Sequence, residues 1–235
     1  MCSLFIPPTE GQLNQVKPDY THIAVILDRT GSMESIRDDT IGGFNAFLTE
    51  QKQQPGKATL TLVQFDSQDP YEVIHQVKTI QEVPELTKKT YVPRATTPLL
   101  DAIGRGINDL EKCVADMKED ARPSKVVFVV ITDGQENASR EFRRDQILKM
   151  INEKEKQHGW QFVFLSADLD AINDAMAQGF QPAAAMAFDQ TGVGVKNAWA
   201  SVSQNIANYR SSKAKDVSFS EEDRKKQRSE RKRKR

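Results

Sequence analysis

The stretch His22-Ile23-Ala24-Val25-Ile26-Leu27-Asp28-Arg29-Thr30-Gly31-Ser32 decides the fold. Its first half is short, unbroken in apolar character and β-branched, the pattern of a strand covered on both faces. Its second half turns abruptly polar. A buried parallel strand that ends in an acid and a hydroxyl-rich turn predicts an α/β sheet whose functional edge lies at the strand C-termini. Downstream, Ile36, Ile41, Phe44, Phe47 and Leu48 recur at helical spacing, so a helix covers about 34–52, and Gln54-Pro55-Gly56 ends it.

The same logic extends along the chain. Thr59–Phe65 and Tyr71–Val77 alternate and read as an antiparallel hairpin. After Pro98, which is tolerated at a helix start, Leu99, Leu100, Ile103, Ile107 and Leu110 share one helical face. Lys125-Val126-Val127-Phe128-Val129-Val130-Ile131-Thr132-Asp133 is the most apolar strand and belongs near the sheet centre. Then come a helix at 144–158, a strand at 160–165, a short helix at 170–178, a weak strand at 185–188 and a helix at 192–210. Strands alternating with helices predict a doubly wound, mostly parallel six-stranded α/β sheet with one antiparallel edge strand and helices on both faces. The expected organisation is an N-terminal arm over 1–19, one domain over 20–212 and a disordered basic C-terminal tail over 213–235.

Composition bounds the function. The 235 residues suit one α/β domain. No apolar run approaches the ~20 residues that span a bilayer, and the first residues have no basic n-region or long apolar h-region. Cys2 and Cys113 are too few for a disulfide framework or a zinc cluster. These features predict a cytoplasmic protein with no membrane contact. The 33 basic and 33 acidic residues cancel, but nine Lys/Arg and one Glu fall in 224–235, leaving a body of −8 and a tail of +8. The basic residues Arg224, Lys225, Lys226, Arg228, Arg231, Lys232, Arg233, Lys234 and Arg235 could bind nucleic acid through phosphates, solubilise the chain, or fold back on the acidic body.

Three segments should meet at the C-terminal edge of the sheet: Asp28-Arg29-Thr30-Gly31-Ser32, Ala95-Thr96-Thr97-Pro98 and Thr132-Asp133-Gly134. All offer oxygen donors. Mg²⁺ wants six oxygens in near-octahedral array and usually keeps several waters. An acid and two hydroxyls in one turn, bent tightly at Gly31, with a third hydroxyl and a second carboxylate from adjoining loops, would supply the protein's share. The third hydroxyl can be Thr96 or Thr97.

These motifs resemble the metal-ion-dependent adhesion site of the von Willebrand factor A family. Asp28-Arg29-Thr30-Gly31-Ser32 matches the family's Asp-x-Ser-x-Ser with Thr for the middle Ser, and Thr132-Asp133-Gly134 matches its closing Thr-Asp-Gly. Thr96-Thr97-Pro98-Leu99 stands where the family has a Gly-Thr-x-Leu-like loop, a register that favours Thr97. Gly42-Gly43-Phe44-Asn45-Ala46-Phe47 and Asp133–Glu141 are similar to small stand-alone bacterial and phage members. The resemblance implies a cation, Mg²⁺ with Mn²⁺ or Ca²⁺ as substitutes, held by Asp28, Thr30, Ser32, Thr97 and Asp133. It also implies a vacant position that takes an Asp or Glu carboxylate from a protein partner. With so acidic a body, Arg29 and the metal would have to supply the local attraction.

Other readings of the same residues carry different expectations. Asp28 and Ser32 could merely cap the first helix, and Asp168 and Asp170 the helix after the fifth strand. Thr132 and Ser166 read as turn hydrogen-bonders. Asp66 and Glu136 read as outer-shell or solvated acids, and Arg140, Arg143 and Arg144 as solvated or as a contact patch. An enzyme fits less well. A phosphotransferase of the haloacid-dehalogenase type needs an Asp where Thr30 stands. No His lies near Ser32 to serve as base for a hydrolase, and the first turn lacks Gly-x-Gly-x-x-Gly.

Overall fold

The computed structural model describes residues 19–233; side chains are described through Gln227. Six strands form one sheet: β1 (Tyr20–Asp28), β2 (Lys57–Phe65), β3 (Glu72–Thr79), β4 (Lys125–Thr132), β5 (Gln161–Ser166) and β6 (Ala185–Ala187). Their spatial order is β3-β2-β1-β4-β5-β6, with only β3 antiparallel. The expected architecture is therefore present, including the central place of β4. The edge strand runs two residues further than the alternation predicts, to Thr79. It does so through an irregular register in which Val77 takes φ 46° and donates its amide to Thr61 Oγ1 at 3.0 Å.

The helices are α1 (Arg37–Gln53), α2 (Leu99–Ala115), α3 (Arg144–His158), α4 (Leu169–Ala177), α5 (Gly192–Arg210) and α6 (Glu221–Arg233). Helices α1 and α5 cover one face of the sheet. Ile23, Val25 and Leu27 of β1 pack there with Phe44, Phe47 and Trp199. Ala24 and Ile26 point the other way, into the layer built by α2, α3 and α4. This period-two split of an all-apolar strand is what double coverage requires. Among the described residues no helix is long and apolar enough to cross a membrane.

The arm over 1–19 lies, apart from Asp19, outside the described residues. The segment from 213 to 233 departs from the disordered tail that its polarity predicts. Val217 and Phe219 are buried, Phe219 donates its amide to Ala183 O at 2.8 Å, and α6 packs along α5 and β6. The anchors are two isolated apolar residues and a set of polar contacts to backbone, so no hydrophobic periodicity announces them.

One buried group sets a measurable pH response. His22 is 1% exposed; its Nδ1 meets Thr59 Oγ1 at 2.8 Å, while Nε2 has no partner. Burial pushes its pKa down to about 3. The unfolded chain, titrating near 6.5, then binds more protons than the native one between those values, so stability falls as pH falls through that window. The stability of His22→Leu relative to wild type should therefore improve progressively below pH 6.5, by up to ~1.4 kcal/mol per pH unit. Denaturant melts at a series of pH values would measure it; a pH-independent difference would show that His22 does not titrate as described.

Candidate metal centre

The strand order reverses between β1 and β4, which places the crevice of a doubly wound sheet at the C-terminal ends of these two strands. Asp28 ends β1 and is fully buried. Its Oδ1 accepts from Thr30 N at 2.6 Å and its Oδ2 from Thr132 Oγ1 at 2.5 Å. Tyr91, also buried, donates its hydroxyl to Asp28 O at 2.6 Å. The carboxylate is thus held from the turn after β1 and from β4, the backbone carbonyl by Tyr91, and each carboxylate oxygen keeps acceptor capacity.

The other oxygens converge on it. Ser32 Oγ lies 3.2 Å from Thr30 Oγ1 and donates to Asp133 Oδ1 at 2.6 Å. Asp133, just past β4, also accepts from Gln190 Nε2 at 3.0 Å. Thr97 is buried while Thr96 is exposed. A methyl built on Gly134 would stand 3.8 Å from Ser32 Oγ and 4.0 Å from Thr97 Oγ1, so Thr97 is the hydroxyl that faces the cluster. Its loop is clamped from both sides: Thr97 N donates to Asn137 Oδ1 at 2.9 Å, and Asn137 N donates to Thr97 O at 3.1 Å.

The electrostatics suit a cation. Burial pushes the Asp28 carboxyl up to about 7 against the hydrogen bonds from Thr132 and Thr30, and the neighbouring charge of Asp133 adds to the rise. Burial also raises Asp133, despite its bonds from Ser32 and Gln190. Among the described residues neither acid has a Lys, Arg or His in ion-pair contact. Two adjacent buried carboxyls with three hydroxyls, and no imidazole or thiol beside them among the described residues, form a set that a hard divalent ion would satisfy.

Several expectations are corrected here. The N-capping alternative is not realised, since neither the 3-10 turn at Gly31–Ile36 nor α1 has a side-chain cap from Asp28 or Ser32. Gly31 does not bend the turn through a positive φ, and a methyl there would meet Ala95 O only at 3.4 Å; the positive φ, 58°, belongs to Ala95. Arg29 does not face the site. It is 6% exposed, its Nε donates to Asp66 Oδ2 at 2.6 Å, and its Nη1 pairs with Glu72. Strand alternation turns it away from Asp28 toward the β2–β3 hairpin. Asp66 is consequently a buried ion-pair partner of Arg29 and Arg94, neither a solvated acid nor an outer-shell one.

Other residues do structural work. Glu136 accepts from the amides of Ala138, Ser139 and Leu100, fastening the loop after Asp133 to α2. Asp101, unremarked in the sequence, accepts from the amides of Arg140, Glu141 and Phe142 and fixes the rest of that loop. Asp168 caps α4 as expected, accepting from Asp170 N and Ala171 N, and Ser166 Oγ accepts from Asp168 N. Arg144 is held by Asp174 and Arg143 lies 3.8 Å from Asp145. In the tail, Arg224 donates to the carbonyls of Pro182, Ala183 and Ala185, so its guanidinium is not available to phosphate, and Lys226 lies 3.9 Å from Glu222.

No protein-family model and no curated protein sequence matches the chain. Solved structures do. A von Willebrand factor type A protein from Catenulispora acidiphila superposes with a TM-score of 0.53 at 9% identity, over 80% of this chain and 43% of that one. Proximal thread matrix protein 1 from the mussel byssus, in a form with a zinc-occupied MIDAS motif, gives 0.53 at 13% identity over 81% and 46%. Manganese-loaded TRAP protein of Plasmodium vivax gives 0.50 at 15% identity over 73% and 69%. The chain spans less than half the length of the first two. At these identities the likeness is one of architecture: the chain has the von Willebrand factor A fold.

Proposed function

We propose that this protein is a divalent-cation-dependent protein-binding module. Asp28, Thr30, Ser32, Thr97 and Asp133 would hold Mg²⁺, with Mn²⁺ or Ca²⁺ as substitutes, and a remaining coordination position would take an Asp or Glu carboxylate of the partner. The observation that carries this reading is the pair of buried acids at the ends of β1 and β4, each hydrogen-bonded by a hydroxyl, with no cationic side chain in ion-pair contact with either among the described residues. The zinc- and manganese-bearing solved structures of the same fold support a metal at this edge. The cytoplasm remains the proposed location.

A binding role is favoured over catalysis by the placement of the histidines. His22 lies six residues before Asp28 on an extended strand, about 20 Å away at ~3.3 Å per residue, and bonds to Thr59. His75 sits on the edge strand β3 and His158 ends α3. A pull-down with the full chain, in Mg²⁺ and in EDTA, tests the proposal. Partners identified by mass spectrometry should be retained with Mg²⁺ and lost on chelation; a partner set indifferent to EDTA would refute metal-dependent binding.

A further inference from the structure

The basic residues of the C-terminal segment are placed by α6, and the direction of that helix is set by three contacts. Arg224 reaches the carbonyls at Pro182–Ala185, where β6 begins. Asp223 accepts from Ser201 Oγ, midway along α5, at 2.7 Å. One turn further on, Gln227 donates to Gly194 O, in the first turn of α5, and accepts from Asp189 N, both at 3.1 Å. Helix α6 thus runs antiparallel to α5, from the start of β6 toward its end. The end of β6 belongs to the edge that carries the acids. The residue after Asp189 is Gln190, whose amide donates to Asp133 Oδ2.

Beyond Gln227 the helix continues to Arg233, about 9 Å further at 1.5 Å per residue. That turn and a half contains Arg228, Arg231, Lys232 and Arg233 against the single acid Glu230. Their backbone therefore extends along or past the rim on which Asp28 and Asp133 sit. The same rim exposes apolar side chains. Leu169, the first residue of α4, is 55% exposed and Val193, in the first turn of α5, is 51% exposed. Gln135, two residues past Asp133, donates to Asp168 and ties the acid-bearing loop to the start of α4.

We infer that the rim formed by the metal site, Leu169, Val193 and the basic end of α6 is one docking surface, and that its occupant is an acidic protein segment bearing aliphatic residues. This rests on the metal reading above: one carboxylate of the segment goes to the cation, aliphatic neighbours cover Leu169 and Val193, and further carboxylates meet the +3 end of α6. The arrangement offsets the repulsion that a −8 body would exert on such a partner, a task for which Arg29 is unavailable. A protein segment is favoured over nucleic acid because the large hydrophobic residues exposed among the described ones are all aliphatic, Val73, Val92, Leu169 and Val193, whereas strand-binding surfaces present aromatic rings for bases to stack on.

The test uses the full chain and a fluorescent peptide of alternating Glu and Leu, with anisotropy read in Mg²⁺ and in EDTA. The combined variant Arg228→Gln, Arg231→Gln, Lys232→Gln and Arg233→Gln should weaken binding on the order of tenfold, from four charge pairings each worth a fraction of a decade. The loss should shrink as salt is raised, and thermal stabilisation by Mg²⁺ should be unchanged. Wild-type protein that ignores the peptide, a variant that binds it as wild type does, or displacement of the peptide by a mixed-sequence single-stranded oligonucleotide of equal charge would each overturn the inference. Peptide binding that survives EDTA but still falls in the variant would leave the basic surface standing and refute the metal reading instead.

Discussion

Asp28→Asn should remove the response of the protein to Mg²⁺ while leaving the fold intact. The substitution is isosteric. Its carbonyl oxygen can still accept from Thr30 N, and the Thr132 hydroxyl, which also contacts Gly134 N and O, can reorient to accept from the new amide. The negative charge is what disappears. Outer-shell partners of metal ligands typically cost 10- to 100-fold in affinity, so a lost carboxylate at the centre should cost at least about a hundredfold. Because a ligand that binds only the native state stabilises by mass action, saturating Mg²⁺ should raise the melting temperature of wild type and leave the variant unmoved. Equal shifts in the two proteins would refute the site.

The chelated protein offers an independent check. With a native pKa near 7 against 3.8 unfolded, Asp28 binds more protons in the folded state across that interval. Its contribution is fully present below 3.8 and is lost as pH rises to about 7, at up to ~1.4 kcal/mol per pH unit. The variant lacks this loss, so in EDTA at pH 8 it should be at least as stable as wild type. The slope from Asp28 opposes the slope from His22 over the shared window. Relative to wild type, the stability-versus-pH slope should therefore tilt upward in Asp28→Asn and downward in His22→Leu.

The sheet and the acid-bearing edge were readable because both are written in local pattern. An unbroken apolar, mostly β-branched run such as Val126–Ile131 has few alternatives to a doubly covered strand, and an acid-hydroxyl turn directly after such a strand must lie at the sheet edge. What was not readable depends on partners distant in sequence. Strand alternation can put Arg29 on the opposite side from Asp28, but only the hairpin supplies Asp66 and Glu72 to hold it. Thr96 and Thr97 are equivalent by periodicity alone; the register of the resemblance favours Thr97, and burial of Thr97 beside an exposed Thr96 agrees with it. Gln190 and Asn137, which bond to Asp133 and to the Thr97 loop, are ordinary loop amides with no local signature. The docking of the C-terminal segment is not written in hydropathy. Helix α6 is docked by Asp223, Arg224 and Gln227 bonding to a hydroxyl and to backbone groups, a mode that a polar sequence conceals.

Gly43→Ala should be among the most destabilising single methyl additions in this chain, and Gly42→Ala, one residue away, should be stabilising. Both glycines lie inside α1, where glycine costs roughly 0.5–1 kcal/mol relative to alanine. Gly42 is exposed and a Cβ there meets nothing within 4 Å, so alanine should recover that amount. At Gly43 the added carbon would stand 2.1 Å from Cδ1 and 2.6 Å from Cγ of Trp199. The indole cannot easily retreat, because it is 3% exposed and packed against Phe44 and Phe47 with ring centres at 5.8 and 5.7 Å. Relieving the overlap means separating α1 from α5, the most extensive helix–helix contact among the described residues, and overpacking of this kind costs about 1–3 kcal/mol or more. The cause is specific and therefore testable by a cycle. Trp199→Leu alone should destabilise by leaving a cavity, yet in its presence Gly43→Ala should lose most of its effect, giving a coupling energy on the order of 1–3 kcal/mol. Urea melts of the four proteins would measure it, and strictly additive effects would mean that Gly43 is required by something other than the indole.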